Sequence, residues 1–580
     1  MMAFFLIFLG VMAWQYLTPK PPPPPQKQEA PQPAQSQSSS PAAPAVTAPR
    51  VDKGKHPAAV VPSTPLVPVK KAEGELETVI ETKLYRITFT NRGGQVKSWV
   101  LKKEGHYLPD ADVELVNPIT APVMGYPLSF FTYDKDKDLQ KKLNEALYVP
   151  SATGPQKPPF SLSFEYSDGE TLAKKKFTFD ESYVISVETE VTSKGQKTQA
   201  YPEWPSGFGD DSKMLSSYAG EKLLWQQNKD IQRQAAQSGW FLTGKKSISN
   251  GATLNGPFQW AATADQYFTA AFMPYFPEDT ALVTLHNQVE IAKDPEKPNE
   301  DKMKVSVLGL AVGSVRGSTR ERLFVGPKSV DLLESATTPS STDLRGILDY
   351  GMFGFISRPL FACLTWTYDH IVRNWGWAIA ILTLVINLLL LPLRIQSIKS
   401  ALKMQKIQPQ IKVINEKYKR YTFKDTQRMA EKQKETQALM KSEGVNQLGG
   451  CFPMLLQMPF LFAFYSMLSN AFELRHANWL WVHDLSAADP WHVLPIIVVI
   501  TMFLTQQSTP AGGMDPAQAK MMKYMTPIMI GGMTWVLPAG LGVYWAISNI
   551  IGYIQQTAVN RSAFGQQVRK TVEKRAKRKK

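Results

Sequence analysis

The chain has 580 residues, a formal net charge of +15 and two cysteines, Cys363 and Cys451. Two cysteines far apart in apolar stretches exclude a disulfide framework and a cysteine-based zinc site, and suit small hydrophobes packed in helices. A mean hydropathy of −0.21 excludes a chain that is membrane throughout, yet the average hides a division between mixed residues 70–340 and strongly apolar residues 370–560.

In chain order, residues 1–18 hold a short apolar run that includes Phe4, Phe5, Leu6, Ile7 and Phe8. It has no basic start, and Trp14, Gln15 and Tyr16 stand where a signal peptide needs small residues. An uncleaved N-terminal transmembrane anchor is expected, with Trp14 and Tyr16 at the interface. Residues 19–70 open on five prolines at 21–25 and continue in Ala, Gln and Ser. That composition cannot bury a core and favours an extended spacer.

Residues 71–342 read as a large β-sandwich domain. Tyr85, Ile87 and Phe89 alternate with polar residues before the turn Asn91-Arg92-Gly93-Gly94; Leu162, Phe164 and Tyr166 alternate before Asp168-Gly169; Tyr183, Ile185, Val187, Thr189 and Val191 keep the same period. No catalytic motif is visible, and the scattered Asp, Glu and His read as solvated surface. Residues 343–373 mix apolar and charged residues at helical spacing, which predicts an amphipathic helix on the membrane surface, broken near Pro359.

Residues 374–560 carry five apolar runs, at about 375–393, 448–469, 491–509, 519–536 and 537–559. Loop charge orients them: segment 396–443 has a net charge of +7, the tail near +8, and the 470–489 loop −2. Positive charge marks the cytoplasmic side. Both termini and the 396–443 segment are therefore expected inside, and the β domain outside. Within 396–443, Ile398, Leu402, Ile411, Ile414 and Tyr418 form one helical stripe, and Met429, Leu439 and Met440 a weaker one, with a turn at 420–424. This predicts a cytoplasmic helical hairpin whose basic face suits anionic lipid or RNA. Residues 561–580 are a basic tail. The expected fold class is an α-helical polytopic membrane bundle, a five-span core plus N-terminal anchor, with a large external β domain.

Several segments carry a more specific signal: Asn446-Gln447-Leu448-Gly449-Gly450-Cys451-Phe452-Pro453 followed by Leu456-Gln457-Met458-Pro459; Trp481-Val482-His483-Asp484-Leu485-Ser486 ending in Asp489-Pro490; and Pro538-Ala539-Gly540-Leu541 with Tyr544-Trp545 and Ser548-Asn549. In this order they resemble the YidC/Oxa/Alb family of membrane protein insertases, in its Gram-negative form with a periplasmic β-supersandwich. The resemblance covers about 343–560 closely and 70–340 more loosely.

The resemblance implies a protein with no catalytic residue, nucleotide, metal or cofactor. It implies a hydrophilic groove open to cytoplasm and lipid, nascent membrane proteins as substrates, and the Sec translocon as partner; the basic hairpin and tail suit the ribosome and anionic lipids as further partners. Family members carry an arginine midway along the first bundle span. Aligning the Asn374-Trp375-Gly376 start places Asn387 there, and Thr383 matches a groove threonine. Arg394 lies seven residues after Asn387, on the same face of a continuous helix. Two readings stand side by side. In one, Asn387 keeps the groove wet and Arg394 supplies its charge; in the other, Asn387 makes an interhelical hydrogen bond and Arg394 snorkels to the interface. Tyr544 and Trp545 match the family's substrate-contact region, and Gln457 is a further polar candidate, with core packing the alternative for each. A transporter or channel is the competing class, against which no inverted repeat or pair of broken spans is visible. A sugar-processing β domain is a third, resting on fold type alone.

Overall fold

The computed structural model describes residues 67–103, 112–133, 137–209, 221–228, 230–235, 250–292, 302–337, 343–421, 425–444, 452–508 and 516–577. The N-terminal anchor, nearly all of the proline-rich spacer, the Asn446–Cys451 part of the motif and most of the hairpin turn fall outside the described residues.

Strands form where apolar residues alternate. Tyr85–Thr90 buries Tyr85, Ile87 and Phe89, and Val184–Ser193 buries Ile185, Val187, Thr189 and Val191. The Asn91–Gly94 turn joins Tyr85–Thr90 to Gln95–Leu101, and Gly93 and Gly94 hold the positive φ values (68° and 55°) that the turn needs. These strands belong to a five-stranded sheet. A ten-stranded sheet is centred on Phe268–Pro274, Ser318–Pro327, Val184–Ser193 and Thr171–Phe179, and a second five-stranded sheet on Thr280–Ala292, Lys302–Ser314 and Ala200–Trp204. All three share one core. Phe89 of the first sheet meets Phe177 of the ten-stranded sheet at 5.0 Å, and Trp99 meets Trp204 of the third at 6.0 Å.

The acidic residues are not all solvated surface, as the sequence suggested. Glu203, Glu221, Asp265 and Glu321 are buried. Each sits where strand pairing or a turn turns it inward: Glu203 lies in Ala200–Trp204, where every residue is buried. Its carboxylate accepts from Ser129 Oγ at 2.7 Å, and burial raises it to about 7. Lys175 faces the core between Ala173 and Phe177 on Thr171–Phe179. It donates to the carbonyls of Gly93 (2.8 Å) and Leu128 (2.6 Å), and burial lowers it to about 7.

Glu221 gives a pH test. Its carboxylate accepts from the Leu308 N–H at 2.6 Å, and burial raises it from the ordinary 4.5 to about 8. The folded state thus holds this proton more tightly than the unfolded chain. Its stabilising effect is full below pH 4.5 and is lost as pH rises through 8. Glu221→Gln keeps an acceptor and cannot ionise. It should melt a few degrees above the parent protein at about pH 9 and nearly with it at about pH 5. Thermal melts showing the same offset at both pH values would rule this out.

The C-terminal part is helical: α1 Gly354–His370, α2 Trp375–Leu389, α3 Leu391–Lys417, α4 Thr426–Ser442, α5 Phe452–Asn470, α6 Val493–Ser508, α7 Pro516–Thr534, α8 Ala539–Arg561 and α9 Ala563–Lys577. Helix α1 is not broken at Pro359. That residue stands in the second turn, where only its own N–H bond to the Phe355 carbonyl is lost. The inward stripe of α1 is Ser357, Leu360, Phe361, Leu364 and Thr367. Cys363 therefore points outward and is exposed, not packed as expected, on the face that also shows Phe355 and Trp366; Cys451 lies outside the described residues.

The first apolar run is not one helix to 393. It stops at Leu389 and bends by 59° into α3. Pro392, at the start of α3, lacks an N–H and its ring clashes with the carbonyl four residues back, which is the cause of such bends. Among the described residues no single helix is long and apolar enough to cross a membrane; α2 and α3 reach that measure only as a bent pair.

Helices α3 and α4 run antiparallel, joined by ion pairs Lys406–Glu443 (3.2 Å) and Lys417–Glu435 (3.0 Å), with Met404, Ile407, Ile411 and Met440 packed between them. Helix α9 is not a loose tail: Phe564, Val568 and Val572 pack on Ile398 and Leu402 of α3.

The β domain and the bundle meet through the 470–476 loop. Phe472 packs edge-on against Tyr267 and Phe268, and the Arg475 guanidinium lies over both rings at 5.6 and 5.5 Å. Gln266 donates to the Ser469 carbonyl at 2.8 Å, and Lys222 pairs with Asp349 at 2.8 Å.

Candidate functional site

The two ends of the bundle differ in chemistry. At the end facing the β domain, the family-like motif residues fit together as structural joints. Asn374 caps α2, accepting from the Trp377 N–H at 3.1 Å and donating to the Asn478 carbonyl at 2.9 Å. Gly376 leaves room for Trp479, whose ring would lie 2.1 Å from an added Cβ. Asp489 is buried and caps the start of α6, accepting from the Leu494 N–H at 2.7 Å and from Trp481 Nε1 at 3.1 Å. The first N–H groups of α8 have no partner in their own helix. Those of Ala539 and Gly540 donate to the Ala487 and Leu485 carbonyls, at 2.6 and 2.8 Å. Trp366, Trp377, Trp491 and Trp535 are exposed at this end.

Toward the other end, the polar candidates of α2 and α3 come together. The Thr383 hydroxyl is spent on its own helix, donating to the Ile379 carbonyl at 2.7 Å, while its carbonyl accepts from Asn387 Nδ2 at 2.8 Å. Asn387 Nδ2 also donates across to Ser548 Oγ of α8 at 3.3 Å. Asn387 Oδ1 accepts from Arg394 Nη1 at 3.1 Å. Arg394 is half-buried. Its guanidinium lies between Asn387 and Gly552 of α8. Asn387 thus makes an interhelical bond and holds Arg394 at once.

Tyr544 and Trp545 are buried in α8, and the Tyr544 ring stacks on Phe464 of α5 at 4.1 Å. Gln457 falls on α5, with its side chain outside the described set.

Sequence reasoning missed the face that joins these groups. On α8, Tyr544, Ser548, Gly552, Gln556 and Asn560 recur every four residues, so each neighbours the next along a stripe that winds slowly round the helix. All but Asn560 are buried. Gln556 donates to Asn560 Oδ1 at 3.1 Å, and Asn560 Nδ2 to the Ser508 carbonyl of α6 at 2.9 Å. A polar seam thus runs from Asn387 past Arg394 toward α9. A run of polar or small residues at that spacing inside an apolar helix was the available signal. Elsewhere on α8, Asn549 Nδ2 and Gln555 Oε1 are buried side-chain atoms with no hydrogen-bond partner among the described residues. Such groups offer bonds to an incoming polar chain.

Comparison with known proteins bears on what the seam serves. A family model described as 60Kd inner membrane protein matches residues 366–566, and one described as YidC periplasmic domain matches residues 77–363. The chain is 32% identical over 537 residues to a protein of Syntrophus aciditrophicus (strain SB) named membrane protein insertase YidC, covering 90% of this chain and 92% of that one. It is 32% identical over 498 residues to a protein of the same name from Endomicrobium trichonymphae, covering 82% and 83%. A solved structure of an active YidC insertase with its first transmembrane domain resolved is 19% identical and covers 85% of this chain and 95% of its own, at a TM-score of 0.34, too low to bear on the fold.

Proposed function

Since this chain belongs to the YidC family of membrane protein insertases, we propose that it inserts membrane proteins by way of the polar seam between α2, α3 and α8. It is an insertase rather than a transporter, and its β-rich part is the family's periplasmic domain. The observation that carries the seam reading is the Asn387–Arg394 bond: a charged group held inside an otherwise apolar bundle by a polar one.

The five helices α2, α5, α6, α7 and α8 are the spans of the insertase core. The α3–α4 hairpin and α9 lie in the cytoplasm, and the N-terminal anchor is a sixth span. The net charges of the loops favour this orientation, and so do the tryptophans at the β-domain end, since tryptophan concentrates at membrane interfaces. The shortness of α2 is part of the function. At 1.5 Å per residue, the 15 residues of α2 reach about 22 Å, short of the ~30 Å hydrocarbon core. Such a helix thins the bilayer around it.

A substrate's polar segment costs roughly 4–8 kcal/mol per unpaired group in pure hydrocarbon. Along the seam it meets Arg394, Ser548 and Gln556 over a shortened apolar path. Burial of the substrate's own apolar span, at about 25 cal/mol per Å², then drives it into lipid beside the bundle. Tyr544 and Trp545, buried in the resting bundle, meet substrate only once it opens. The protein acts alone on small substrates and with the Sec translocon on larger ones. The basic faces of the hairpin and α9 hold the ribosome and anionic lipid.

In proteoliposomes, the purified protein should promote insertion of a short single-span membrane protein while a trapped small solute stays inside. Solute efflux without insertion would restore the transporter reading.

A further inference from the structure

Several glycines of the bundle helices mark close approaches. An added Cβ at Gly376 would lie 2.1 Å from the Trp479 ring, at Gly531 2.0 Å from Val499 Cγ2, and at Gly542 3.3 Å from Leu494. These are apolar contacts between neighbouring segments, the use small residues have in membrane bundles. Gly552 is different. An added Cβ there would lie 2.2 Å from Arg394 Nη2 and 3.0 Å from its Cζ. The guanidinium occupies the space that a side chain at 552 would fill. Glycine is the poorer helix former at such an interior position, and the nearest atoms it makes room for are those of a charged group.

We propose that Gly552 is a positioning residue: the notch it leaves in α8 seats the Arg394 guanidinium against Asn387, and so sets which substrate segments the protein accepts. The notch fixes the guanidinium from one side and Asn387 Oδ1 fixes it from the other, at 3.1 Å. Held there, the charge faces the seam and favours acidic translocated segments; released, it swings toward the hairpin end and the preference goes with it. Arginine's planar fork makes this placement directional, which a flexible ammonium would not reproduce. The inference rests on the insertion path proposed above.

Gly552→Ala adds one methyl against the mobile end of a long side chain, so the helix survives and the guanidinium moves. Insertion into proteoliposomes is compared for two single-span substrates that differ only in an acidic or a neutral translocated tail. Gly552→Ala should lower the acidic one about tenfold, the factor of one charge-assisted hydrogen bond, and leave the neutral one unchanged. Arg394→Ala should do the same, and the double variant should be no worse than Arg394→Ala alone, since Gly552 acts through Arg394.

Independently, in protein labelled with ¹⁵N-arginine, the Arg394 guanidinium resonance, identified by its loss in Arg394→Lys, should shift in Gly552→Ala. An unmoved resonance, or additive losses in the double variant, would overturn the positioning role. A shifted resonance with both substrates inserted normally would uphold the seating of Arg394 and overturn its part in substrate choice, as well as the charge's role in the insertion path.

Discussion

Asn387→Leu should cut insertion of an acidic-tailed single-span substrate at least about tenfold while leaving the bundle as heat-stable in detergent as the parent protein. The change is close to isosteric and removes three hydrogen bonds at once: to the Thr383 carbonyl, to Ser548 and from Arg394. The first two link neutral groups, and leucine offsets their loss by packing well among apolar neighbours. The third is to a charged group, where the net worth is about 1.5–3 kcal/mol, or roughly ten- to a hundredfold. In Asn387→Leu the Arg394 guanidinium loses its bond to Asn387 Oδ1 inside the bundle. An acidic-tailed substrate inserted at the parental rate by Asn387→Leu would remove the Asn387–Arg394 pair from the mechanism. A large fall in melting temperature would mean instead that Asn387 is chiefly a structural brace.

Trp204→Ala should have the largest effect on folding and little on insertion. The indole is fully buried, lies 6.0 Å from Trp99 and 5.3 Å from Phe208, and donates to the Gly207 carbonyl at 2.8 Å. Removing a buried tryptophan costs about 3–5 kcal/mol, and the orphaned carbonyl adds about 1 kcal/mol. For a domain of this size that is a drop of roughly 10 °C in melting temperature. Protease should then cut the β domain at lower temperature in membranes. Insertion by the same membranes should persist, because the seam lies wholly in the helical part. If insertion fails in step with β-domain unfolding, the path runs through that domain.

The β strands were legible because one face of each is buried and alternation is local. The same alternation places Lys175, of the three lysines at 174–176, on the inward face of its strand. What satisfies it was not legible: the carbonyls of Gly93 and Leu128 lie 82 and 47 positions away. For that reason the buried acids looked like surface. Prolines show a second limit. Pro359 and Pro392 are alike in the sequence, but the first sits inside a helix braced along its whole inward stripe and the second at a junction free to bend. The motif residues marked the family well, yet most of them join segments at the β-domain end. The polar face of α8 was written plainly at four-residue spacing and hidden by the apolar residues between. The partnership of Asn387 and Arg394 was half legible: the spacing put them on one face, but a straight helix would not have turned the guanidinium back onto Gly552.

The junction between the β domain and the bundle has a mechanical consequence. Phe472 and Arg475 are clasped by Tyr267 and Phe268, and Asp349 by Lys222, so the helix ends nearest the β domain are tied to a rigid three-sheet body. A sheaf of rods clamped at one end flexes with an amplitude that grows with distance from the clamp. Any parting of α2 from α8 is therefore smallest at the tied end and widest near α3 and α9. The bundle works like tweezers whose joint lies at the β-domain end and whose tips open toward α3 and α9.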